Sequence, residues 1–260
     1  MRVAACIKRV PITGGRILLT DDSRAINTQH LGFTMSPHEE CGVEEAVRLV
    51  EANKGDSVVL TLGPPEAVEQ LRDAMALGID RAIHLQTAQG AQEENQEWDA
   101  EATAAALLEA IRADEAANGP FDIIFFGNES ADSGGFQVGI RVAYALSRPC
   151  VTGLKMVTVE GSSVRCEQEV EGGRDIFVVP LPAVLTVKEG LNLPRYPSVP
   201  GRMRARSKPI ANVTPTRPPP RLELVSLAVP AGQGRRAESL GSGPAAATAV
   251  VDVLQKAGVL

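Results

Sequence analysis

Short runs of consecutive apolar residues alternate along residues 3–146 with longer stretches whose apolar positions recur every three or four residues. Each short run predicts a buried strand and each longer stretch a helix. Val3–Ile7 is the first such run, ended by Lys8-Arg9-Val10-Pro11, and a polar stretch with Gly14-Gly15 and Asp21-Asp22 follows as a loop or small hairpin. Ser36-Pro37 ahead of Glu39-Glu40 predicts a helix start, with serine as N-cap, proline at the first helical position and acids in the first turn. Ser57–Leu62, Ala82–Leu85 and Asp122–Phe126 read as further buried strands, separated by helices over Glu66–Leu77 and Asp99–Ala113. A glycine-rich loop and a helix over Phe136–Leu146 close this part. Strand–helix alternation of this kind implies a parallel sheet with right-handed crossovers.

The texture changes after Cys150. Lys155–Val159, Val164–Val170 and Asp175–Val179 alternate polar and apolar residues between glycine turns, which predicts an added antiparallel hairpin region. Pro182–Val187 returns to the buried-strand pattern. From Leu193 to Pro220 prolines and basic residues dominate, including Arg202, Arg204, Arg206 and Lys208, and the stretch reads mostly as loop or extended arm. A last helix is expected from about Pro244 to Lys256. The resulting organisation is an α/β domain over 1–210 and a C-terminal arm with a helix over 211–260, which has no core of its own and could lie on another subunit.

Composition narrows the function. Aromatic residues are 3% of the chain, so the core is aliphatic, which favours an α/β protein over a β-sandwich or a nucleic-acid reader. A net charge of −6 argues against a broad phosphate-binding surface and so against nucleic acid as partner. Cys6, Cys41, Cys150 and Cys166 are widely spaced with no CxxC pair, as expected of a reduced protein without disulfides or zinc. No apolar stretch is long enough to insert in a membrane, and the first strand begins too early for a cleavable leader, so a cytoplasmic location is expected.

In an open parallel sheet, ligands bind outside the carboxyl ends of the strands. The strand end at 127–139, Gly-Asn-Glu-Ser-Ala-Asp-Ser-Gly-Gly-Phe-Gln-Val-Gly, is rich in small residues and enters a helix. On its residues alone this loop serves equally as a phosphate cradle at a helix N-terminus or as an ordinary βα turn. Gly241-Ser242-Gly243 lacks a preceding strand and reads as a flexible helix entry. His30, His38 and His84 are too scattered for zinc; His84 reads as structural, and His38 lies at a helix start beside the candidate site, with both roles open. Glu44-Glu45 read as a solvated helix face. No nucleophile, acid–base pair or Walker lysine emerges, so the chain has the character of a binder and not of a self-sufficient enzyme.

The stretch 171–209 carries the family. Glu171-Gly172-Gly173, Leu181–Val187 and Leu191-Asn192-Leu193-Pro194-Arg195-Tyr196-Pro197 resemble the characteristic region of electron transfer flavoprotein β subunits. In order along the chain, Cys6–Pro11, Ser36-Pro37 leading into Val43–Leu49, Leu62-Gly63-Pro64, Ala76–Ala82 and the 127–139 loop match as well, so the likeness covers about residues 2–210. The resemblance implies a Rossmann-like fold of the adenine-nucleotide α-hydrolase type, and a heterodimer with an α subunit that makes most contacts to a shared FAD. It also implies a nucleotide held by the β chain itself, AMP or, in electron-bifurcating members that use NADH, a second FAD. Carried over by position, that nucleotide would touch Cys6, Ser36, Pro37, His38, Glu39, Leu62 and the loop residues Gly127, Asn128, Glu129, Ser130, Ala131, Asp132, Ser133, Gly134, Gly135, Phe136, Gln137 and Val138. Acyl-CoA or other flavin dehydrogenases would dock on Leu191, Asn192, Pro194, Arg195 and Tyr196, with Leu191 as an exposed anchor or, alternatively, packed on the sheet end. Electrons would leave towards an electron transfer flavoprotein–quinone oxidoreductase.

Departures accompany the likeness. Val138 stands where AMP-binding members often carry threonine, Ile140 where bifurcating members carry proline, His38 where many relatives place an aromatic residue near the flavin, and Leu193 where an acid is common. Two rivals share the superfold: a nucleotide sensor of the universal stress protein type, whose glycine-spaced phosphate motif is not evident, and an adenylating or pyrophosphatase-type enzyme, which needs a phosphate loop after the first strand.

Overall fold

In the computed structural model, which describes residues 1–12, 14, 17–87, 98–219, 221–230 and 238–260, the first apolar run is the fourth strand of a nine-stranded sheet. Strands β1 (Arg2–Ile7), β4 (Asp56–Gly63), β5 (Arg81–Gln86), β6 (Ile123–Gly127), β7 (Cys150–Glu160), β8 (Ser163–Val170), β9 (Gly173–Pro180), β10 (Ala183–Val187) and β11 (Ile210–Val213) stand in the order β11-β5-β4-β1-β6-β10-β7-β8-β9. Pairing is parallel from β11 through β7 and antiparallel among β7, β8 and β9. The polar stretch after β1 includes a small antiparallel pair, β2 (Arg9–Pro11) with β3 (Phe33–Met35). The Rossmann-like α/β reading and the added hairpin region are thus what the chain adopts.

Helices α1 (Pro37–Asn53) and α2 (Val68–Leu77) contribute to one apolar layer, and α3 (Ala100–Asn118) and α4 (Val138–Leu146) to the other. Strand residues alternate between the layers: Val3, Ala5 and Ile7 join Val43, Val47 and Leu71, whereas Ala4 and Cys6 join Leu107, Ile111 and Val142. Burial on both faces explains why these strands read as continuous apolar runs. Each large side chain so buried contributes about 1.5–3 kcal/mol, and Phe121 and Phe125 are among the largest that are fully buried.

Ser36 occupies the N-cap of α1 with Pro37 following, but its hydroxyl makes no cap bond; its carbonyl accepts from Glu39 and Glu40 N–H at 2.9 and 3.0 Å. Asp99 does cap α3 through its side chain, accepting from Ala102 N–H at 2.7 Å. The 193–220 stretch, expected to be mostly loop, holds two regular elements. Ser198 caps α5 (Val199–Ser207) by accepting from Gly201 N–H at 3.1 Å, and β11 then pairs with β5 across the division expected at residue 210. The chain forms two compact units, 1–227 and 228–260; the second contains α6 (Ala247–Lys256), which buries none of its residues. Among the described residues no helix is long and apolar enough to cross a membrane.

Candidate functional site

Strand order reverses at β1. From β1 the chain steps outward through β4 to β5, then returns through α3 to β6 on the other side. The crevice between the carboxyl ends of β1 and β6 is therefore the switch point of the sheet, the position where such folds take ligands. Parallel register brings Cys6 beside Phe126 and beside Leu60, so Lys8, Leu62 and Gly127 share this end. The N-terminus of α1 arrives there too: a Cβ on Gly127 would stand 2.8 Å from Glu39 Cγ and 3.3 Å from His38 Cβ. Only glycine permits that approach.

The residues predicted at 6, 36–39, 62 and 127–138 are thus gathered at one end of the sheet, in unequal roles. Cys6, Ser36 and Glu39 are buried. Burial, reinforced by Glu39, pushes the Cys6 thiol well above its ordinary range, so it is a wall and not a nucleophile. Glu39 braces the crevice: its Oε2 accepts from Lys8 N–H at 2.7 Å, and burial pushes its carboxyl up to about 8 despite the opposing effects of the Lys8 and Ser36 amides. Lys8, whose position directly after β1 was the signal that it belongs here, reaches across the crevice. Its Nζ lies 2.7 Å from Asp132 Oδ2 and 3.3 Å from Ser133 Oγ. Burial would raise the Asp132 carboxyl, but the Lys8 ammonium overcomes it and holds that group below the usual range.

The loop is fixed at its base and open at its crest. Asn128 N–H donates to Val187 O at 2.9 Å, and Thr186 Oγ1 donates to Asn128 Oδ1 at 2.9 Å. Gly139 seats α4 on the sheet; a Cβ there would stand 2.9 Å from Thr186 Cγ2. Beyond the base, none of the described residues stands near a side chain at Gly135, and Phe136 is half-exposed with φ at 53°, a conformation unfavourable for an aromatic residue. Gln137 provides no side-chain cap to α4, so the first amides of that helix have no side-chain acceptor. His38 is half-buried, its Nδ1 has no hydrogen-bond partner among the described residues, and burial lowers its basicity against the pull of Glu129 and Glu189.

These features fit an anionic nucleotide. The first amides of α4 have no side-chain cap, Lys8 pairs with Asp132, and burial raises the Glu39 carboxyl to about 8, so the carboxylates oppose a phosphate less than their number suggests. His84, by contrast, is buried with Nε2 at 3.2 Å from Gly63 O and 3.1 Å from Pro64 O, a structural tie between β5 and the end of β4.

The docking residues expected at 191–196 lie on the loop leaving β10. Leu191 is partly buried and packs against the core, while Leu193 and Tyr196 are 92% and 97% exposed. Asn192 Nδ2 donates to Cys41 O and to Glu45 Oε2 at 3.0 and 2.9 Å, and Arg195 pairs with Glu44 and Glu51. Pro194 is half-buried between them. Glu44 and Glu45, read from sequence as a solvated face, are buried at 4% and 7% exposure. Their partners lie far along the chain, and no local pattern announces them.

Against known proteins, the model of the electron transfer flavoprotein domain matches residues 24–218. A Bacillus subtilis (strain 168) protein named electron transfer flavoprotein subunit beta is 31% identical over 210 residues, 81% of this chain and 77% of its own. Its namesake in Syntrophomonas wolfei is 32% identical over 231 residues, 88% of this chain and 86% of its own. The Homo sapiens protein of that name is 32% identical over 216 residues, 83% and 82% of the respective chains.

Proposed function

The chain belongs to the electron transfer flavoprotein family as a β subunit, and from that premise we propose that it pairs with an α subunit, holds AMP in the β1–β6 crevice, and completes the seat of a shared FAD. The observation that carries the nucleotide reading is the convergence of Lys8, the His38–Glu39 turn and the 127–138 loop at the switch point. Loop and α4 amides hold the phosphate, Lys8 supplies the counter-charge, and Cys6 and Leu62 wall the crevice.

FAD supplies the one- and two-electron chemistry. The task of this chain is to bind, orient and present. A partner flavin dehydrogenase, acyl-CoA dehydrogenases included, docks on the loop after β10, and electrons pass on to an electron transfer flavoprotein–quinone oxidoreductase. Since Leu191 faces the core, the exposed anchors are Leu193 and Tyr196, continued by Val199 and Met203 on α5 and rimmed by Arg202, Arg204 and Arg206. An apolar patch with a basic rim fits a partner with an apolar pocket and an acidic rim. Ile176 and Val178, exposed on β9, and the 228–260 unit provide surface for the α subunit to cover. Four unpaired cysteines accord with a cytoplasmic setting.

Co-expression with the α subunit and assay of bound cofactor tests this reading. One FAD and one AMP per heterodimer is the expected result. Two FAD and no AMP would make the β site a flavin site, and a heterodimer without flavin would overturn the proposal.

A further inference from the structure

The loop after β10 is fastened to α1 by polar groups that a passive surface turn does not need. Arg195 Nε lies 2.9 Å from Glu44 Oε2, and its Nη1 lies 2.7 Å from Glu51 Oε1. A second bond to each acid, from Nη2 to Glu44 Oε1 and to Glu51 Oε2, is 3.0 Å long, so one guanidinium forks across two carboxylates. Glu44 Oε2 also accepts from Arg195 N–H at 3.1 Å, which fixes the backbone at that residue as well as the side chain. Three residues earlier, Asn192 makes its two bonds to α1, and Leu191 packs on the core. Positions 191, 192 and 195 are thus held inward, while 193 and 196 point into solvent.

We propose that Arg195, with Glu44, Glu51 and Asn192, is a positioning clasp that holds the docking loop in its binding shape, so that Leu193 and Tyr196 meet the dehydrogenase already ordered. This rests on the reading of that loop as the docking surface. The physical advantage is pre-organisation: a loop ordered before encounter loses less freedom on binding than one that orders during it. Burying Glu44 is tolerable because Arg195 is a bidentate and permanently charged partner. Lysine keeps the charge but cannot span both carboxylates. The clasp touches neither the crevice nor its loop, so it acts on association and leaves cofactor binding alone.

The test uses the αβ heterodimer and an acyl-CoA dehydrogenase reduced by its acyl-CoA. Amide exchange over 188–198 is followed by mass spectrometry alongside KM for the dehydrogenase, kcat and FAD content. Arg195→Lys is expected to speed exchange in that loop and raise KM roughly tenfold, with kcat and FAD content unchanged. Glu51→Gln, at an exposed position that does not endanger folding, should move both readouts in the same direction by a smaller factor. Unchanged exchange in both variants, or faster exchange at unchanged KM, overturns the clasp. Leu193→Ser combined with Tyr196→Ser separates the underlying reading: transfer as fast as in the parent protein would remove the docking surface itself, whereas a raised KM there with none in Arg195→Lys would remove the clasp alone.

Discussion

The two ends of the parallel sheet are both lined with charge, yet they are finished differently. At the amino ends of the strands, Asp114 accepts from Arg2 Nη2 at 2.7 Å, from Arg81 at 2.7 and 2.9 Å, and from Asn118 at 3.1 Å. Asp56 adds a second acid to the same two arginines, and Arg2 also lies over the Phe121 ring. Burial alone would raise the Asp114 carboxyl, but Arg81 and Arg2 hold it below its usual range. At the carboxyl ends, a helix begins without a side-chain cap, a buried histidine nitrogen has no partner among the described residues, and burial raises an acid's carboxyl to about 8. Closed valences stabilise a fold; open ones are available to a ligand. The same sheet uses one end for the first purpose and the other for the second.

Cutting the closed end should have the largest effect. Asp114→Ala removes the buried acid of this cluster, leaving the more exposed Asp56 to face both arginines, and should lower stability by about 3 kcal/mol, measured by urea unfolding, while nucleotide per folded heterodimer stays unchanged. Loss of nucleotide without loss of stability would erase the distinction between the ends.

A second effect follows pH. Because burial raises Glu39 from 4.5 to about 8, the folded state resists an ionisation that the unfolded chain undergoes freely. Its contribution is fully present below about pH 4.5 and is lost as pH rises through about 8, a difference of about 2–5 kcal/mol. Glu39→Gln should remove that part of the pH dependence, seen by comparing unfolding at pH 5 and pH 9. It should also weaken the release of bound nucleotide as the parent protein passes pH 8. An unaltered profile would mean that Glu39 is ionised throughout.

The smallest effect belongs to Lys8→Ala. Its ion pair with Asp132 is partly exposed and contributes at most about 1 kcal/mol to stability. Nucleotide affinity should fall several-fold all the same, with Asp132 left unneutralised, and calorimetric titration of the nucleotide-free heterodimer with AMP would show it. Stronger binding in the variant would show that Lys8 competes with the ligand for the loop.

Sequence carried the parallel strands well, because burial on both faces leaves long aliphatic runs such as Ser57–Leu62. The 127–138 loop was legible as a junction for a related reason: small residues between an apolar strand and a helix let the chain pass close to the start of α1 at Gly127. The helix at Val199–Ser207 escaped, although Ser198 and Pro200 are a helix start, because its arginines leave no apolar face to give a period. The edge strand at Ile210–Val213 is short and covered on few sides, so it lacks the run of its neighbours. Glu44 and Glu45 were misjudged as solvated for one reason. Each is placed by a contact across the fold: Arg195 lies 151 residues from Glu44, and nothing within either segment predicts the meeting.

The position of β1 bears on how the molecule is made. It is the middle one of the seven parallel strands, yet it precedes both neighbours in the chain: Arg2 meets Asp56 and Asp122, partners 54 and 120 residues further on. A ribosome therefore delivers the centre of the sheet before either flank, and contacts this distant close slowly because each must overcome the entropy of a long loop. Until β6 emerges, one edge of β1 stays open beside β4, exposed to whatever chaperone or nascent neighbour is at hand.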